Sequence, residues 1–174
     1  MSVRGAPSDA SAIIYLAKAG GLAAARARFG PLLMPPGVWD EVVTAGARQG
    51  RSEVAVVERC VSDGDVREAG LDGPQRRRAQ GLRSRFGLGV GESEILALGR
   101  AYELVLIDDH RATRAASALG IRSIETILIP ALCVQAGVLD AAGAFELLAA
   151  IARHTTIPAE LALRVRRLIE EAKP

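Results

Sequence analysis

Apolar positions recur at helical spacing along most of the chain. Ile13, Ile14, Leu16 and Ala17 predict a first helix, closed by Gly20-Gly21. A second short helix is predicted from about Leu22 to Arg28. Pro31 to Met34 is a short apolar run before Pro35-Pro36 and predicts a buried strand. Val38, Val42 and Val43 predict a helix entered through those prolines. A helix near Ser52 to Cys60 and a strand around Val66 follow. Gly70 to Gly91 breaks the pattern, with Arg76, Arg77, Arg78, Arg83 and Arg85 between flanking glycines. It reads as a polar surface helix or a mobile loop. After Gly91, the positions Ile95, Leu96, Leu98 and Tyr102 predict a helix. Leu104-Val-Leu-Ile107 is a continuous apolar run of strand length that stops at Asp108-Asp109. An Ala-rich helix from about Ala112 to Leu119 and a strand near Ile121 to Ile124 come next. Three helices close the chain, at about Ile127 to Ala136, Ala141 to Arg153 and Pro158 to Ala172.

Apolar runs alternating with helices predict an α/β fold with a mostly parallel sheet. The chain has 174 residues, a length that suits one domain spanning 1–174. No repeat or linker divides it. Hydrophobic residues make up 49% and charged residues 24%, which excludes a disordered or low-complexity chain. The longest apolar run, Ile127 to Val134, contains Pro130 and is too short to span a membrane. Met1 to Pro7 lacks the apolar core of a signal peptide. Cys60 and Cys133 have no metal-ligand spacing and read as reduced thiols of a cytoplasmic protein. Aromatic residues make up 3%, too few for a base-stacking platform of the kind that binds single strands. The net charge of +2 neither demands nor opposes a nucleic-acid partner.

The chemistry on offer is acidic. In an open parallel sheet, ligands bind beyond the C-terminal strand ends, where Asp108 and Asp109 fall. Successive strand residues face opposite ways, so one of the two points into a site. Taken singly, each acid has an ordinary reading. Asp9 and Asp108 or Asp109 can cap helices, Glu41 can be a solvated helix residue, and Glu92 and Glu94 favour a helix N-terminus. Glu92 and Glu94 are two apart, so at most one faces a shared site. No Cys/His or Ser/His/Asp arrangement is present. His110 and His154 are the only histidines. Neither reads as a metal ligand, and His110 can contact substrate.

Four stretches occur in order: Asp9-Ala-Ser-Ala-Ile-Ile-Tyr-Leu-Ala-Lys, Met34-Pro-Pro-Gly-Val-Trp-Asp-Glu-Val-Val, Gly91-Glu-Ser-Glu-Ile-Leu-Ala-Leu and Leu104-Val-Leu-Ile-Asp-Asp-His-Arg-Ala-Thr-Arg. In this order and separation they resemble the PIN-domain family of metal-dependent ribonucleases, and in particular its VapC-like toxin branch. The resemblance spans roughly the first three quarters of the chain. It implies a three-layer fold, a central parallel sheet flanked by helices with a helical C-terminal part, and carboxylates gathered at one edge.

The resemblance also implies roles. Asp9, Glu41, Glu94 and Asp109 match the catalytic acids. Asp9, Glu94, Asp108 and Asp109 match metal ligands for Mg²⁺ or Mn²⁺. Ser11 supports Asp9, and Glu92 is the alternative to Glu94. Arg111 and Arg114, with Arg76, Arg77 and Arg78, are expected to contact RNA. The implied activity is hydrolysis of RNA phosphodiester bonds by a toxin. The implied partners are a small antitoxin and a second copy in a homodimer. Leu128, Leu132, Leu139, Phe145, Leu147 and Leu148 can form an interface or simply the core.

One departure stands out. The family has a strongly apolar first strand, whereas this chain has Val3-Arg-Gly-Ala-Pro-Ser8. Pro7 cannot donate to a central ladder. Either the strand is short and irregular, or the start of the sequence is imperfect. Three other readings compete. A PIN-like RNA- or protein-binding subunit without catalysis keeps the fold. A phosphoacceptor receiver domain needs its acidic pair after the first strand, where this chain has none. A purely structural helical protein leaves the ordered acids as coincidence.

Overall fold

Five short apolar segments form parallel strands in the computed structural model, which describes residues 4–172. They are β1 (Ala6–Pro7), β2 (Leu32–Met34), β3 (Val66–Glu68), β4 (Val105–Leu106) and β5 (Ser123–Ile124). β1 pairs with β2 and β2 with β3, all in parallel, while β4 pairs in parallel with β5. A parallel bridge from Ser8 to Leu106 joins the two groups, so the order across the layer is β3-β2-β1-β4-β5. The direction of strand succession reverses between β1 and β4, which makes their C-terminal ends a topological switch point.

The expected irregularity of the first strand has a physical cause. The amides of Ala6 and Ser8 donate to Pro31 and Leu33 on the β2 side, at 3.1 and 3.0 Å. Alternation turns the Pro7 nitrogen toward β4, where it has no proton to give. The first donor on that side is the amide of Asp9, to the Leu106 carbonyl at 2.9 Å. The sheet therefore narrows to one bridge just where Asp9 emerges. Gly5 and Gly30, at φ 140° and 85°, bring the two backbones together at the other end of β1. A Cβ on Gly30 would lie 2.9 Å from the Gly5 nitrogen, so a side chain does not fit.

The continuous run Leu104 to Ile107 is buried throughout, as expected for a strand covered on both faces. Helices supply the two covering layers. α1 (Ala10–Ala19) follows β1 and ends at Gly20, φ 71°. α2 (Leu22–Phe29) leads to β2. α3 (Pro36–Trp39) runs through a π-helical turn at Asp40–Thr44 into α4 (Ala45–Arg48), and α5 (Glu53–Ser62) precedes β3. α6 (Gly73–Phe86) settles the arginine-rich stretch as a helix. Asp72 and Gln75 form a reciprocal capping box at its start, and Ala79 and Leu82 are buried. α7 (Val90–Leu98) ends before Tyr102, which follows a 3₁₀ turn at Gly99–Ala101 rather than extending the helix. α8 (His110–Ala118) lies between β4 and β5, and α9 (Ile129–Gln135), α10 (Ala141–Ala152) and α11 (Ala159–Glu171) complete the chain.

Leu147 and Leu148 belong to the core, and Leu128, Leu132, Leu139 and Phe145 pack against it. Among the described residues the exposed large hydrophobics are instead Val56, Val90 and Leu163. Cys60 and Cys133 are free thiols. Among the described residues no helix is long and apolar enough to cross a membrane. The first three residues of the Met1–Pro7 stretch lie outside the described residues.

Candidate active site

Asp9 leaves the end of β1 and caps α1. One carboxylate oxygen accepts from the Ala12 amide at 2.7 Å, the other from the Asp108 amide, also at 2.7 Å. The second bond spans the switch point and fixes the side chain between β1 and β4. Asp9 is 6% exposed. Burial, then the nearby Asp108 and Glu92 charges, push its pKa up to about 7 against the pull of the two amides.

Asp109 caps α8, its Oδ1 accepting from the Ala112 amide at 2.8 Å. Its neighbour Asp108 turns the other way, as alternation at a strand end requires. Both Asp108 oxygens are taken by Thr126, one by its amide at 2.8 Å and one by its hydroxyl at 2.6 Å. Burial raises the Asp108 pKa although both bonds to Thr126 oppose it. The sequence gives no sign of Thr126, which reaches Asp108 only because β5 lies beside β4.

Asp9, Ser11, Glu41, Glu92 and Asp109 line one cleft of about 130 Å³, with Ala10, Val38 and Gly91. Glu41 enters through the π-helical turn after α3, a local widening that resets which face a helix presents. Glu92 enters from the first turn of α7. Glu94 does not join them. Its Oε2 accepts from the Gly37 amide at 2.7 Å, tying α7 to the start of α3. The two helices touch closely there, since a Cβ on Gly37 would lie 2.7 Å from Val90 Cγ1. Of the two acids opening α7, Glu92 is thus the one in the cleft, and Glu94 holds the helix that presents it.

The arginines divide as well. Arg111 donates to the Gly87 carbonyl at 2.7 Å and fastens α8 to the end of α6. Arg114 is exposed one turn further along α8. Arg76 and Arg77 are exposed on α6, while Arg76 also donates to the Leu71 carbonyl. Arg78 is half-buried, and burial followed by the nearby Arg100 charge lowers its pKa. The basic α6 packs along α7, the helix that carries Glu92.

The cleft is strongly anionic. Among the described residues none of its four carboxylates is paired with a cationic side chain. Also among the described residues, no three His, Cys, Asp or Glu side chains form a ready-made metal cage. The donors nevertheless fit a hard divalent cation. All are carboxylate oxygens, and each bonded oxygen keeps a second lone pair.

Sheet and cleft together define a parallel α/β protein with an acidic site at its switch point. A family model described as PIN domain matches residues 7–171, and the chain belongs to the PIN-domain family, a fold of nuclease type. No curated protein and no solved structure shows a significant match.

Proposed function

We propose that the chain is a metal-dependent endoribonuclease of the VapC-like branch, the toxin of a toxin–antitoxin pair. The observation that carries this reading is the gathering of Asp9, Glu41, Glu92 and Asp109 in one cleft without a cationic partner among the described residues. These four would hold Mg²⁺ or Mn²⁺. When bound, the ion supplies neutralising charge for the phosphoryl oxygens and makes water more acidic. Asp9, held by two amides, contributes an oriented carboxylate. Glu41, an exposed acid of the cleft that caps no helix, takes up the proton of the attacking water and passes it to the departing oxygen. An antitoxin would cover the cleft with a cationic segment complementary to it.

Purified protein should cut RNA in Mg²⁺ or Mn²⁺ and not in EDTA. No cutting in either metal by folded, antitoxin-free protein would shift the reading to a PIN-like binding subunit.

The acids of α7 give a sharper expectation. Glu92→Gln should reduce the rise in melting temperature caused by divalent metal. Glu94→Gln should lower stability by about 1 kcal/mol through its weakened bond to Gly37, yet keep the metal-induced rise. Thermal melts with and without metal check both. The reverse pattern would place Glu94, not Glu92, on the ion.

The arginines of α6 supply phosphate contacts beside the cleft. Replacing Arg76, Arg77 and Arg78 with Ala should weaken RNA binding and flatten its salt dependence, by a slope of about 0.7 per lost contact with single strands. Filter binding across a salt series checks this. An unchanged slope would mean that the three are merely solvated.

A further inference from the structure

A second cleft, of about 190 Å³, opens on the other side of Asp108. Its wall includes Ile127, Ile151 and Leu161, and its lining also carries Tyr15, His110 and Glu125. The segment 108–110 separates the two clefts. Asp109 serves the acidic one, whereas Asp108 and His110 border this one. Each Asp108 oxygen already accepts one bond from Thr126. Glu125 is half-buried, its side chain caps nothing, and among the described residues it forms no ion pair. The cleft thus combines apolar side chains, one aromatic ring and one carboxylate without a bonded partner, with the Thr155 and Thr156 hydroxyls and His110 also in its lining.

We infer that this cleft receives an unpaired guanine of the RNA, next to the phosphate to be cut. The inference rests on the endoribonuclease reading. Single-stranded RNA is read by splaying a base out, packing its faces on aromatic or apolar side chains and bonding its edge. A phosphate is unsuited to a cleft bordered by two carboxylates. A flat base matches the apolar wall and Tyr15, and the segment 108–110 borders both clefts, so a base held here lies beside the acidic one. The base follows from donor geometry. An ionised carboxylate only accepts, through two oxygens. Guanine alone offers two adjacent ring-edge donors, N1–H and N2–H₂, to both oxygens of Glu125. Adenine, cytosine and uracil each offer fewer donors on that edge.

The test uses methyl-labelled protein in EDTA, with guanosine, adenosine, cytidine and uridine added separately. N-acetylarginine amide is the probe for a protein partner's side chain. Guanosine should shift the Ile127, Ile151 and Leu161 methyls at concentrations about tenfold lower than the other nucleosides, the discrimination of one bidentate pair. Glu125→Gln, which presents one donor and one acceptor, should abolish that preference while leaving the remaining methyl spectrum intact. Equal response to all four nucleosides, a preference that survives Glu125→Gln, or a response to the arginine probe alone would overturn the inference. Cleavage by the wild type is assayed separately. Guanosine selection without RNA cutting would reject the nuclease reading and retain a guanine site. Cutting with no guanosine response would do the opposite.

Discussion

Asp109→Asn should lower metal-dependent RNA cleavage by at least about a hundredfold, the usual effect of removing one preorganised electrostatic group. Its melting temperature in metal-free buffer should stay close to that of the wild type. The two expectations come from the two oxygens of one side chain. Oδ1 caps α8 through the Ala112 amide, and Asn caps a helix as well as Asp does. The other oxygen carries the charge offered to the cleft. In the variant an amide group stands there, a donor where a cation needs an acceptor. Initial rates and thermal melts on the same preparation separate the roles. Full activity in Asp109→Asn would remove this residue from the chemistry, and a collapse of the fold would make it structural.

In metal-free buffer the protein should lose stability as pH rises from about 4 to about 7. The cause is Asp9, whose pKa is pushed up to about 7 by burial and by the Asp108 and Glu92 charges. In that interval the unfolded chain releases the proton that the folded state retains. Stability therefore falls with pH, by an amount on the order of 4 kcal/mol for this group. Asp108, also raised by burial, acts in the same direction. A divalent cation prefers ionised Asp9, so the metal-induced rise in melting temperature should be larger at about pH 8 than at about pH 5. Glu92→Gln removes one of the charges that raise Asp9. The metal-free variant should be more stable than wild type at neutral pH, although it responds less to metal. Melts in EDTA and in Mg²⁺ across that range check the sign. Stability that rises between about pH 4 and about pH 7, in parallel in both proteins, would contradict this account of Asp9.

Much of the architecture is legible because each element satisfies one local rule. Leu104 to Ile107 is uniformly apolar because a central parallel strand is covered on both faces. Gly20 stops α1 where the backbone turns left-handed. The stretch that forms α6 stays open between helix and loop because its run of arginines has no apolar period, and the signals that mark the helix are the Asp-x-x-Gln of its capping box and the proline in its first turn. The acidic site was legible as an order of residues but not as a set of partners. Glu92 and Glu94 have equal claims in sequence. What separates them is the packing of α7 on α3, which places Glu94 against the Gly37 amide. Asp108 and Asp109 are equally ambiguous until β5 brings Thr126 beside β4. The guanine cleft joins α1, the ends of β4 and β5, and the α10–α11 connection, and no local pattern links Tyr15 to Glu125.

The most direct test of the acidic cleft is a substoichiometric Mn²⁺ titration followed by amide NMR. Paramagnetic broadening should begin at Ala10, Ser11, Gly91, Glu92 and His110, and should be lost in Asp109→Asn. Broadening that begins elsewhere, for example around Glu103 or Asp63, or none at millimolar Mn²⁺, would contradict a cation held between β1, β4 and α7.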